Sequence, residues 1–259
     1  MFAKKSLGQN FLMHAQTAER IALASPLTPE STVLEIGPGT GMLTRALLLH
    51  AGKVLAVEAD HSLIPGLEES FATELEEGRL QIINADVRSF DTATIPGDYA
   101  IVANIPYYIT GELLRQFLTA SHKPTSMTLL VQKEVAVRIA RDSKESLLSL
   151  SVKAFGDPKY CFTVPRGAFI PAPKVDSAVL LIDSIRKDAF PSAEEEHIFF
   201  SVLRAGFSQK RKRLAKNLEQ LYPSTKIRDV FSALRLSENL RAEDVPERVW
   251  RVLVHALVT

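Results

Sequence analysis

The residues whose types and spacing can do chemistry cluster at the ends of short apolar runs. Glu35-Ile36-Gly37-Pro38-Gly39-Thr40-Gly41 directly follows one such run. Glycines at a strand-to-helix turn let the backbone approach a ligand closely. A dinucleotide fingerprint would want glycines at 37, 39 and 42, but position 42 is methionine, and no phosphate-loop lysine follows. Glu58 ends the next run, where an acid can accept hydrogen bonds from both hydroxyls of an adenosine ribose. Asp86 follows the third, where a carboxylate can take the exocyclic amine of an adenine. Singly, these fit a tight connection or an ordinary strand-end loop just as well. Three strand ends in register, each with the right group, describe an adenosine-bearing cofactor with no phosphate to grip.

The fourth run ends in Asn104-Ile105-Pro106-Tyr107. An exocyclic amine on a base is a poor nucleophile, because its lone pair is delocalised into the ring. Acceptors on both of its N–H groups favour a more tetrahedral nitrogen. The Asn104 side-chain oxygen and the Ile105 backbone carbonyl could supply them, with Pro106 fixing the loop and Tyr107 stacking on the base. The competing explanation is a proline turn with an asparagine cap.

These groups need a scaffold that brings strand ends together. Val33–Ile36, Val54–Val57, Leu80–Ile83, Ala100–Ala103 and Met127–Val131 read as buried strands. The helix-length segments Gly41–His50, Ser62–Leu75 and Gly111–Ser121 alternate with them. That alternation predicts an α/β fold with a mostly parallel sheet. Tyr160–Val164 and Ala178–Ile182 could add an antiparallel pair. Beyond about Pro191 the spacing turns helical, over Glu194–Ala205, Lys210–Leu221, Ile227–Leu234 and Glu247–Leu257. The expected division is residues 1–186, an α/β domain, and 187–259, a small all-helical one.

Composition narrows the classes. The 259 residues are 46% hydrophobic and 24% charged, an ordinary globular balance. Cys161 is the single cysteine, so no intrachain disulfide forms and a reducing cytoplasm is expected. It carries no basic neighbours that would make it a nucleophile. The six histidines show no metal-ligand spacing, so no metal is expected. No apolar run reaches the length a membrane helix needs, and no signal-peptide core follows Lys4 and Lys5. Net charge is +1, but six basic residues and no acid lie between Arg204 and Lys216. A charge run is commonly a solvated helix face; so one-sided a run fits phosphate contact by Arg204, Lys210, Arg211, Lys212 and Arg213.

Through the glycine turn, Glu58 and Asp86 the chain resembles class I S-adenosylmethionine-dependent methyltransferases, with their Rossmann-like domain. Asn104–Tyr107 narrows the resemblance to enzymes that methylate a base amine. Three further segments recur in order: Ser6–Leu12, Phe169–Ser177 and Gly206–Lys212. With them the chain is similar to the ribosomal RNA adenine N6-dimethyltransferases of the KsgA/RsmA type. The resemblance implies methylation of two adjacent adenines in the 3′-terminal hairpin loop of small-subunit (16S) ribosomal RNA, in a pre-ribosomal 30S particle in the cytoplasm, by a monomer. It implies that Asn10 and Leu12 close over the methionine end of the cofactor, that Gly37 lines its methionyl part, that Gly39 also belongs to the cofactor site, and that Glu58 holds the ribose and Asp86 the adenine. It sets Asn104 between cofactor and target base, and pairs Phe169 with Tyr107 as a sandwich for the target adenine. A phenylalanine in a proline-rich loop otherwise reads as a loop anchor packed on the core. Lys216-Asn217 departs from the paired asparagines common in the family. Rival readings are an Erm-type methylase of large-subunit RNA and a non-catalytic assembly factor retaining the fold.

Overall fold

The computed structural model describes residues 8–259; Lys4, Lys5, Ser6 and Leu7 lie outside them. In chain order the elements are β1 (Phe11–Leu12), α1 (Ala15–Ala24), β2 (Thr32–Ile36), α2 (Met42–His50), β3 (Lys53–Glu58), α3 (Ile64–Ser70), α4 (Ala72–Glu76) and β4 (Leu80–Asn84). Then come β5 (Tyr99–Asn104), α5 (Thr110–Leu118), β6 (Ser126–Gln132), α6 (Lys133–Ala140), α7 (Leu147–Lys153), β7 (Asp157–Val164), β8 (Phe169–Ile170) and β9 (Ser177–Asp183). The last four are α8 (Ala193–Gly206), α9 (Leu214–Leu218), α10 (Ser224–Ala233) and α11 (Glu247–Val258).

Seven strands form one sheet in the order β4-β3-β2-β5-β6-β9-β7. The first five run parallel, and β9 pairs antiparallel with both β6 and β7. β2 and β5 are mostly apolar because helices bury both faces of a parallel sheet; Val33, Leu34, Ile101 and Val102 are fully buried, and Glu35 of β2 is a buried acid among them. The strand order reverses between β2 and β5. At such a switch point the loops leave in opposite directions and open a crevice beyond the carboxyl ends. All four strand ends that the sequence singles out border this crevice.

The helical expectations fare less evenly. α1 precedes the alternating stretch and has no counterpart among the expected helices, nor do α6 and α7. The expected helix over Ser62–Leu75 breaks into α3 and α4, because Phe71 leaves helical geometry (φ −128°, ψ 29°). Lys210–Leu221 is helical over Leu214–Leu218 alone. The basic residues 210–213 therefore stand on a loop rather than a helix.

Two compact units result, Met1–Val137 with Gly156–Lys187, and Arg138–Phe155 with Asp188–Thr259. The single boundary expected between 186 and 187 thus misses residues 138–155, which join the helical unit. There Phe155 stacks on Phe200 and meets Phe190 edge-on, and Arg251 donates to the Ala154 and Ala189 carbonyls. No helix among the described residues is long and apolar enough to cross a membrane.

Candidate functional site

The crevice is lined by the ends of β2, β3, β4 and β5 together with Gly8–Phe11. Its floor is the glycine turn. Gly37, Gly39 and Gly41 all have positive φ, at 68°, 60° and 80°, a region that side chains other than glycine rarely adopt. A Cβ built on Gly37 would meet nothing closer than the Asn104 carbonyl oxygen at 3.9 Å, so the backbone there is bare to a ligand. Behind the turn, the Phe71 ring fills the space against Gly41.

Glu58 is the organising acid. Its Oε2 accepts from the Gly39 amide at 3.1 Å and its Oε1 from the Asp60 amide at 2.8 Å. Each carboxylate oxygen has two acceptor sites, so one per oxygen remains for a pair of hydroxyls. Burial raises the carboxyl's pKa, while the Asp60 and Gly39 amides oppose that shift. Asp60 caps the next turn through Ser62 and takes a hydrogen bond from Gln9 at 3.0 Å. Asp86 lines the same cleft, but its carboxylate is chelated by Arg88, at 2.6 Å for the closest pair. This lowers its pKa. A ligand amine at Asp86 must share it with the guanidinium.

Asn104 closes β5 at the cleft. Its Nδ2 donates to the Asn10 carbonyl at 3.0 Å, which fixes the amide with Oδ1 as the remaining acceptor. Asn10 in turn donates from its own side chain to the Gly8 carbonyl. The N-terminal segment and the β5 end therefore hold each other in register.

Other expected residues fall elsewhere. A strand sends successive side chains to opposite faces: Phe11 lies on the cleft with its ring against Gly39, while Leu12 is buried in the core. Leu12 does not line the cleft, and Phe11 stands in its place. Tyr107 is absent from the lining too; its hydroxyl bonds Ser177 Oγ at 2.5 Å, and burial raises its pKa. Tyr108, 66% exposed, lines the cleft instead. Phe169 is 2% exposed, pairs with Leu12 and belongs to the main hydrophobic cluster. Its ring acts here as a loop anchor, and Tyr107 and Phe169 do not present a ready sandwich. Ile105 is buried, and Pro106 lines the cleft.

Gln9, Phe11 and Ser177 lie in segments that carry the family resemblance but have no role assigned there, and Asp60, Arg88 and Tyr108 are not singled out from sequence. Asp60-x-Ser62 and Asp86-x-Arg88 carry a cap signature that could have flagged two of them.

Arg204, Lys210, Arg211, Lys212 and Arg213 belong to the helical unit. Arg204 sits in the last turn of α8, and the other four form the exposed connection to α9. Asn217, 3% exposed, holds that loop from beneath, donating to the Gly206 and Gln209 carbonyls at 2.6 and 3.1 Å.

A family model described as ribosomal RNA adenine dimethylase matches residues 2–257. A ribosomal RNA small subunit methyltransferase A from Dehalococcoides mccartyi is 40% identical over 97% of this chain and 87% of its own. One from Listeria monocytogenes is 37% identical over 94% and 88%. Among solved structures, the 23S rRNA methyltransferase ErmE superposes with a TM-score of 0.79 at 27% identity, over 96% of this chain and all of that one. A dimethyladenosine transferase from Plasmodium falciparum gives 0.79 at 28%, over 94% and 95%.

Proposed function

The chain belongs to the ribosomal RNA adenine dimethylase family, and from that premise we propose that it methylates N6 of two adjacent adenines in the 3′-terminal hairpin loop of small-subunit ribosomal RNA, within a pre-ribosomal particle. The observation that carries the reading is the Asn104 amide, fixed by the Asn10 carbonyl so that Oδ1 is left to accept. Small-subunit RNA is favoured because near-full-length relatives at 37–40% identity are small-subunit enzymes, against 27% for the large-subunit one.

The cleft suits S-adenosylmethionine. Glu58 retains one acceptor site per oxygen for the ribose hydroxyls, Asp86 lines the cleft where it would take the adenine amine, and the bare backbone at Gly37 leaves room for the methionyl part. When bound, that cofactor supplies a methyl group on a sulfonium leaving group, so no covalent enzyme intermediate is needed. The protein's task is alignment. Asn104 Oδ1 and the Ile105 carbonyl accept from the adenine amine and favour its tetrahedral form. Tyr107, braced by Ser177, supports the β5 loop in that geometry. Stacking of the base by Phe169 requires its ring to leave the core.

Incubating the protein with methyl-labelled cofactor and undermethylated small subunits, then mapping the label, tests the reading. Label should fall on the paired adenines of the 3′ hairpin; label elsewhere, or none, overturns it. Glu58→Gln serves as the cofactor control. It removes charge from the ribose acceptor, and calorimetry should show roughly tenfold weaker cofactor binding.

A further inference from the structure

The helical unit contains a second concave site, between the basic loop and α10. Its lining includes Arg211, Lys212, Arg213 and Lys216 on one side and Ser224 and Arg228 on the other. Ile227 and Phe231, each 3% exposed, form the buried apolar base. The lining carries five cations, Arg211, Lys212, Arg213, Lys216 and Arg228, against two carboxylates, Glu219 and Glu238. Lys216 is paired with Glu219, and Arg211, Lys212, Arg213 and Arg228 make no ion pair among the described residues. The excess of positive charge in one groove is repulsive, and a polyanion lying in it would relieve that repulsion.

We propose that this groove is a phosphodiester-binding site, in which Arg228 of α10 and Arg211–Arg213 of the loop grip the backbone of ribosomal RNA from opposite walls. The proposal rests on the reading of the basic loop as an RNA contact and adds to it an opposing wall. Neither wall is a floppy surface. Asn217 and Gln220 tie the loop backbone at Gly206, Gln209 and Ala205, and Leu214 donates to the Leu240 carbonyl. Arg228 projects from the middle of a ten-residue helix. A pre-ordered backbone lowers the entropy lost on binding. Guanidinium groups suit this role, since their planar forks grip two phosphate oxygens at once. Sequence spacing could not find Arg228: it lies 15 residues beyond Arg213, with Asp229 beside it, and reads alone as a surface arginine.

The test measures binding of undermethylated small subunits as a function of salt for Arg228→Ala, Lys226→Ala and Arg211→Ala/Lys212→Ala. Lys226 is on the same helix but does not line the groove. Arg228→Ala should weaken binding several-fold and lower the slope of log affinity against log salt by about one. Lys226→Ala should leave both unchanged. If the loop variant loses affinity while Arg228→Ala matches the parent, the opposing wall is wrong and the loop reading stands. If neither variant changes affinity or slope, the RNA-contact reading of the unit itself falls. If Arg228→Ala lowers affinity for intact subunits but not for protein-free small-subunit RNA, the groove takes a ribosomal protein and the proposal is overturned. Arg228 is exposed, so unchanged thermal midpoints should accompany all three variants.

Discussion

Asn104 separates an enzyme from a binding protein that shares its fold. On the proposed reading its acceptor contact would matter most as the adenine nitrogen becomes tetrahedral, and interactions stronger in the transition state show in turnover rather than in binding. Asn104→Ala should slow single-turnover methyl transfer roughly a hundredfold, the usual effect of losing one preorganised polar group. Subunit binding should be unchanged. A variant with parental turnover would remove Asn104 from the chemistry. Glu35, one residue before Ile36, poses a different problem. It is fully buried, beside the Thr44 hydroxyl. Burial moves its pKa from 4.5 up to about 8, with the Thr44 hydroxyl opposing the shift and the charge of Glu58 adding a smaller push upward. The unfolded chain therefore releases this proton at lower pH than the folded chain does. Between the two values the folded state binds more protons, so stability falls as pH rises through that window and is level above it. Glu35→Gln abolishes this fall. Its thermal midpoint should match the parent's near about pH 5 and exceed it increasingly toward about pH 8. Parallel curves for the two proteins would show that Glu35 ionises at its ordinary pH.

The elements that place these residues were legible to different degrees, for physical reasons. The parallel strands announce themselves because both faces are buried and each strand becomes a largely apolar run, as at Tyr99–Asn104 and, around Glu35, at Thr32–Ile36. The strand ends carried the crevice residues for the same reason: in this topology a group after a strand is a group in the crevice. The two-residue strand β1 has no such signal, and its pleat decided the exchange of Leu12 for Phe11. Phe169 could not be placed from its motif, because an aromatic in a proline-rich loop serves a base or a core equally well. The break at Phe71 was hidden since its cause is tertiary: its ring packs against Gly41, across the glycine turn. That packing makes a prediction. A Cβ on Gly41 would stand within 2.8 Å of Phe71 Cζ at a φ of 80°. Gly41→Ala should therefore destabilise the fold by at least ~1–3 kcal/mol, from the backbone alone. Gly66, inside α3 with ordinary φ and nothing within 4 Å of a built Cβ, is the contrast. Gly66→Ala should stabilise by about 0.5–1 kcal/mol. Denaturant titrations of both variants check the opposite signs, and equal effects would show that the turn has room to relax.

For the whole molecule, a net charge of +1 gives little long-range attraction to RNA. Affinity must come from local concentrations of charge, and the sequence showed one of them. From Lys187 onward there are 13 basic residues against 10 acidic ones, a small excess compared with the acid-free run from Arg204 to Lys216. What the sequence concealed is the exposed loop conformation of that run, set by Asn217 beneath it rather than by helical periodicity. On the proposed reading the two tasks use separate chemistry. The cofactor cleft would rely on buried and short-range hydrogen bonds to Glu58 and the glycine turn, which salt screens weakly. The basic loop would rely on exposed cations, which would displace counterions from phosphates. Replacing Lys210, Arg211 and Lys212 together with alanine should weaken subunit binding at low salt by at least tenfold. The slope of log affinity against log salt should fall by about two to three, near one per lost phosphate contact. Cofactor affinity, measured by calorimetry on the same variant, should stay within about twofold of the parent, because none of the three residues lines the cleft. A parental salt slope in the triple variant would return the run to a solvated surface. A fall in cofactor affinity matching the loss of subunit binding would instead show that the substitutions had damaged the fold rather than a contact.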